Sequence, residues 1–174
     1  MIETDRLTLR RWRPTDAAPM SSINGDPTVM RWIGDGSVRT PDQTRSDIAR
    51  WETEWQERGF GLFAVDERAT GRMIGFVGLS MPTFLPEVLP AVEIGWRLSP
   101  SSWGKGLATE GARAVVAFAF DDRGLDRLVS VAQVGNEASE RIMTKLRMRL
   151  AIRTNAPETG RPLHVYELHA PAAD

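Results

Sequence analysis

The sequence contains no cysteine. Disulfides, thiolate zinc sites and a cysteine nucleophile are excluded together. Imidazole is almost as scarce: His164 and His169 are the two histidines, and with the single tyrosine, Tyr166, they fall near the C-terminus. A multi-histidine metal centre or a Ser-His-Asp triad has little to be built from, and no metal is expected. No apolar run approaches the roughly 20 residues of a membrane-spanning helix. The opening "MIETDRLTLRRW" lacks the apolar core of a secretory leader. Charge of one sign is also missing, since 22 Lys plus Arg stand against 23 Asp plus Glu. The basic run "RLTLRRWR" would predict steeply salt-dependent binding if it gripped nucleic acid, but the near-neutral chain argues against it. The expectation is a cytoplasmic protein with neither nucleic acid nor membrane as partner.

What is present suits one globular domain spanning 1–174: 174 residues, 41% hydrophobic and 26% charged. "DRLTLRRW" alternates Leu7 and Leu9 with Arg6, Thr8 and Arg10, the pattern of a half-buried strand with its arginines in solvent. "RTPDQTRSDIARWETEWQERG" reads as a helix, with Thr40 as N-cap, Pro41 in the first turn, Gln43 completing a capping box and Gly59 as the stop. Strands follow at "FGLFAV", "MIGFVGL" and "AVEIGWRL", then a helix at "LATEGARAVVAFAF", a strand at "RLVSVAQV", a helix opened by Asn136 and two tail strands. This order implies an α+β fold, with a mixed, mostly antiparallel sheet of about seven strands covered by helices on both faces.

The junction "SPSSWGKGLATEGARA" sets Gly104 and Gly106 around Lys105 where a strand ends and a helix begins. A helix N-terminus presents unpaired N–H groups and a partial positive charge, and glycines before it let backbone approach a diphosphate. The same glycines would also serve a tight turn. A P-loop needs Ser or Thr after Gly-Lys, whereas Gly106 follows Lys105; the G-x-G-x-x-G pattern fails because Thr109 stands at its third glycine.

These residues resemble the GNAT N-acetyltransferases, and within them the ribosomal-protein-acetylating (Rim-like) branch. The superfamily's acetyl-CoA loop reads Q/R-x-x-G-x-G/A, and "WGKGLA" fits it with Gly106 and Ala108 in the small positions; Trp103 in place of Gln or Arg resembles the branch's "WGxGxATE". "TDRLTLRRWRPTD", "GDPTVMRWIG", "VEIGWRLSP" and "NEASERIMTKL" resemble further segments of the branch in the same order. The resemblance implies a V-shaped splay between the fourth and fifth strands that holds pantetheine. The backbone of Trp96 and Leu98 would pair with the cofactor's amides. Its diphosphate would rest on the loop of Trp103, Gly104, Lys105, Gly106, Leu107, Ala108 and Thr109, with Lys105 adding charge at the rim. Asn136 is implied to contact the pantetheine arm, a role compatible with capping its helix.

In such enzymes an amine attacks the thioester directly. A lysine-like amine with pKa about 10.4 is some three units from neutral pH, roughly 4 kcal/mol, whereas a thiol near 8.5 costs only about 2 kcal/mol to leave as thiolate. A base therefore matters more than an acid. Alternation places Glu93 with Gly95 and Arg97, opposite Val92, Ile94, Trp96 and Leu98, and the family often carries a carboxylate there that works through water; a salt bridge from Glu93 to Arg97 is the competing reading. Met143 occupies the family's usual tyrosine acid position, and Ser139 matches a proposed acid of Rim-like enzymes, able to donate a hydrogen bond to the sulfur or to reinforce the helix start. The expected partner is a primary amine, on a protein N-terminus or a small molecule, taken by a monomer or homodimer. A non-catalytic acyl-CoA-binding module is the alternative that Met143 raises. Trp32, Trp51 and Trp55 belong to the region that walls the acceptor cleft in relatives, although tryptophans at helical spacing fit a core. His164 and Tyr166 share one face of the last strand. Arg147 stands where "KLGM" would place glycine, which predicts a strained turn.

Overall fold

The computed structural model describes residues 1–171. Its strands are β1 (Ile2–Glu3), β2 (Leu7–Arg10), β3 (Leu62–Glu67), β4 (Arg72–Ser80), β5 (Val92–Leu98), β6 (Arg127–Gln133), β7 (Arg149–Asn155) and β8 (Pro162–His169). Its helices are α1 (Ala17–Asn24), α2 (Pro27–Met30), α3 (Pro41–Arg58), α4 (Leu107–Ala117) and α5 (Glu137–Lys145). The strands form one sheet in the order β1-β2-β3-β4-β5-β6-β8-β7, and β5 with β6 is the parallel pair. The expected α+β architecture is observed with eight strands rather than seven. The extra one, β1, pairs Ile2 with Leu9, and its two residues are too few to show a period in sequence. The expected fourth and fifth strands are thus β5 and β6.

Strand alternation divides the core between two layers. Leu7, Leu9, Val65, Val77, Ile94 and Leu98 meet Leu107, Ala112 and Val115 of α4 on one face of the sheet. On the other, Leu62, Ala64 and Phe76 meet Met20 and Ile23 of α1 and Trp51 of α3. The Thr40 capping box forms as expected, and Gly59 closes α3 in the left-handed region at φ 72°. The indoles of Trp12 and Trp55 both donate to the Leu62 carbonyl, at 2.8 and 2.9 Å, which fastens α3 to the sheet and makes Trp55 a core residue.

Two expectations about arginines meet the structure differently. Arg10 is not in solvent: it is 6% exposed, donating to Asp16 at 2.8 and 2.9 Å and to Asp66 at 2.6 and 2.8 Å. Strand β2 lies inside the sheet, so its polar positions are covered as well. Burial alone would raise the Asp16 carboxyl, but the Arg10 guanidinium and the Arg13 backbone N–H more than reverse that and hold it below its ordinary value. Arg147 adopts φ 63°, the one non-glycine residue at positive φ among the described residues, which agrees with the strained turn read from its sequence context.

Candidate active site

Strands β5 and β6 stay paired only at Val92 with Leu128 and Glu93 with Val129, and then part. The Ser99 N–H donates to the Ile74 carbonyl at 2.8 Å, which sets the phase of the β4–β5 ladder. By that phase the backbone groups of Glu93, Gly95 and Arg97 bond toward β4, while those of Trp96 and Leu98 point into the gap. The Leu98 carbonyl is already taken by the Trp103 indole N–H at 2.8 Å, so Leu98 has only its N–H to offer there.

The chain then turns through a single 3-10 turn at Pro100–Ser102 into the glycine loop. Gly104 and Gly106 both adopt left-handed conformations, at φ 72° and 78°, and a Cβ on Gly104 would meet nothing within 4 Å. The turn and the open approach are therefore properties of the same residues. Helix α4 makes its first backbone bond from Glu110 N–H to Gly106 O at 3.0 Å, which leaves the N–H groups of Leu107, Ala108 and Thr109 without helical acceptors. Arg6 braces the loop from behind, donating to the Lys105 carbonyl at 2.9 Å and to Glu110 at 2.7 Å, while the Thr4 hydroxyl also donates to Glu110 at 2.6 Å.

A cavity of about 390 Å³ lies in front of this loop. Of the residues assigned to the cofactor, Trp96, Leu98, Trp103, Gly104, Gly106, Leu107, Ala108, Thr109 and Asn136 line it, together with Ser139. Lys105 does not: its side chain is exposed and it lines neither this cavity nor the next. The cations that do line it are Arg31, Arg97, Arg141 and Lys145, whose approach from separate segments left no local signal in the sequence. The Asn136 side chain caps α5 by accepting from the Ser139 N–H at 3.4 Å, so it serves the helix while bordering the cavity.

A second cavity, about 470 Å³, adjoins the first and shares with it Trp32, Ile33, Trp96, Arg97, Asn136 and Ser139. Glu93 lines this second space with Gly95 and Ser130, and Met143 lies at its base, 1% exposed. The salt bridge to Arg97 does not form. Burial pushes the Glu93 carboxyl up to about 7, opposed only by the Val131 backbone N–H. A carboxyl with that value is half ionised near neutral pH, the condition under which a general base works best. Glu54, from α3, also borders the space and is raised by burial. Of the three tryptophans, Trp32 and Trp51 reach the wall and Trp55 does not. His164 and Tyr166 line neither cavity; the His164 Nδ1 lies 2.6 Å from the Glu140 carboxylate.

The match to known proteins agrees with this geometry. Residues 6–149 match the family model described as "Acetyltransferase (GNAT) domain". The chain belongs to the GNAT acetyltransferase family. This GNAT protein is 30% identical to YoaA of Bacillus subtilis strain 168, an uncharacterized N-acetyltransferase, over 84% of this chain and 81% of that one. An acetyltransferase structure from Agrobacterium tumefaciens strain C58 superposes with a TM-score of 0.82 at 25% identity, covering 97% of this chain and 94% of that one. RimL, a ribosomal L7/L12 alpha-N-protein acetyltransferase solved with coenzyme A, gives a TM-score of 0.80 at 16% identity over 98% of this chain and 97% of its own, a likeness of fold. The residues present fit an acyl-CoA cosubstrate: an opened strand edge for its amides, free helix N–H groups, and the side chains of Arg31, Arg141 and Lys145 for its phosphates.

Proposed function

We propose that this GNAT protein is an acetyl-CoA-dependent N-acetyltransferase of the Rim-like branch. In this reading a single domain over 1–174 moves an acetyl group to a primary amine by direct attack, in the cytoplasm, as a monomer or homodimer. The observation that carries the reading is the junction of the two cavities at Trp96, Asn136 and Ser139, beside the point where β5 and β6 part and where Glu93 stands. The sequence "WGKGLATE" supports the branch assignment.

Bound acetyl-CoA supplies an activated thioester carbonyl and a thiolate leaving group. Trp96 and the Leu98 N–H hold its amides at the strand edge, and the backbone from Gly104 to Thr109 receives its diphosphate. Lys105, exposed beside that backbone, adds charge at the rim. Glu93 removes the amine's proton through water, which the raised carboxyl can accept near pH 7. Ser139 donates a hydrogen bond as charge builds on sulfur.

The test combines melting with turnover. Acetyl-CoA at about 100 times its Kd adds about 2.7 kcal/mol of native stability. For a chain of this size that raises Tm by roughly 5–10 °C. A midpoint unmoved by saturating acetyl-CoA and CoA removes the cofactor assignment. Protection without CoA release from any of a panel of amines and N-terminal peptides favours the non-catalytic acyl-CoA-binding module, the reading suggested by buried Met143 in the tyrosine position.

A further inference from the structure

The Nε atoms of Arg97 and Arg127 are both buried without a hydrogen bond, but Glu167 lies 3.3 Å from that of Arg127, whereas Arg97 has no carboxylate against it. Its guanidinium lies over the Phe76 ring, 5.1 Å from the centroid, and its Nη1 donates to Asn24 Oδ1 at 2.7 Å. Its Nε is buried with no partner, and its Nη2 bonds to no acceptor among the described residues. No carboxylate pairs with it. The groups around it are Asn24 from α1, Phe76 from β4, Arg39 ahead of α3, and Asp47 from α3. Asp47 is held by Arg50 at 3.0 Å and Arg39 at 3.5 Å, and Glu54 faces Arg50 at 3.9 Å. Arg10, which is more deeply buried than the half-buried Arg97, has two carboxylates.

A buried cation without a counter-charge destabilises a fold unless something else pairs with it. Arg97 borders both cavities, so a bound molecule can do so. It sits on the same face of β5 as Glu93, about 13 Å away at Cα by strand spacing. Between them lies Gly95, where a Cβ would meet nothing within 4 Å. The strand thus presents a carboxyl, an open floor and a guanidinium in line.

We propose that the acceptor is an amine that also carries a carboxylate, seated on the planar donor fork of Arg97 while its amine faces Glu93. The inference rests on the acetyl-transfer reading above. The carboxylate belongs either to a free amino acid or to an acidic side chain that follows a peptide's N-terminal amine; the guanidinium recognises the same group in both. Arg97 is a specificity-determining residue and takes no part in proton transfer.

The test measures kcat and KM for matched acceptors: α-, β- and γ-amino acids against their carboxamides, and N-terminal peptides with Asp against Asn in second place. Wild type should prefer the acid in at least one amino-acid pair or in the peptide pair by about 10- to 100-fold in kcat/KM, mostly through KM, as a charge-assisted pair lost from a buried site implies. Whichever pair responds identifies the source. Arg97→Met should bring that ratio close to one, and Arg97→Lys should keep part of it, while both retain acetyl-CoA protection. Equal kcat/KM within every pair, or a preference that survives Arg97→Met, overturns the proposal even though acetyl transfer stands. If no amine is acetylated, melting in the presence of CoA decides: wild type stabilised by acids and not by their amides supports the carboxylate seat, and no difference overturns it. Loss of acetyl-CoA protection in wild type instead defeats the acetyltransferase reading itself.

Discussion

Replacing Glu93 with Gln keeps the size of the side chain and removes its charge, so two independent readouts follow from one substitution. The carboxyl is raised from 4.5 to about 7 by burial. Between those values the native protein binds a proton more readily than the unfolded chain does, so wild-type stability falls as pH rises through the window and stays lower above it. The full difference corresponds to about 3 kcal/mol. Glu93→Gln should therefore match wild type near pH 4.5 and below, and exceed it by up to about 3 kcal/mol at pH 8, a Tm gain of roughly 6–12 °C. Turnover should move the opposite way, dropping about 10²-fold or more near neutral pH. The deficit should shrink at higher pH, where more of the amine is already free. A pH-rate profile with one amine acceptor, paired with melting curves from pH 4 to 9, measures both. Matching profiles with equal maximal rates would clear Glu93 of the base's role. A variant less stable than wild type at pH 8 would mean that the carboxylate is held by an ion pair, contrary to the geometry.

Gly106→Val should lose acetyl-CoA protection, because φ 78° is a conformation that a β-branched residue rarely adopts and its side chain would press on Arg6, the loop's brace; a folded variant that is still protected would refute the backbone cradle. Arg147→Gly should stabilise the protein by about 1 kcal/mol in urea, since relief of a left-handed residue outweighs glycine's greater unfolded-state freedom. Arg10→Met should cost about 3–5 kcal/mol by stranding Asp16 and Asp66. Asp16 is held below its ordinary value, so its contribution is present above about pH 4 and fades as pH falls. The gap between Arg10→Met and wild type should narrow in acid, as melting at pH 3 and pH 7 would register.

Local signals in the sequence were reliable where one element decides the outcome. The Thr40 and Gln43 capping box, the Asn136 cap and the parity of β5 depend on neighbours within a few residues, and each is found as read. Parity alone aimed Glu93, Gly95 and Arg97 at one face. It could not reveal whether Glu93 and Arg97 would pair, because that depends on Asn24, 73 residues away, and on Asp47 being held by other arginines. Arg10 was misread for a related reason: alternation marks which face a residue takes, whereas burial depends on what covers that face. Lys105, which the resemblance places at the rim, is exposed and outside the cavity lining, whereas the cations that line it come from separate segments and left no local signal.

The brace that Arg6 and Thr4 place on the glycine loop ties the cofactor site to the segment between β1 and β2. Of residues 2–6 only Ile2 packs against the core, so removing them should leave the protein folded while loosening the backbone that receives the diphosphate. Affinity for acetyl-CoA would then depend on residues 2–6, which lie outside the cavity lining, and a preparation that had lost them would stay folded yet turn over poorly.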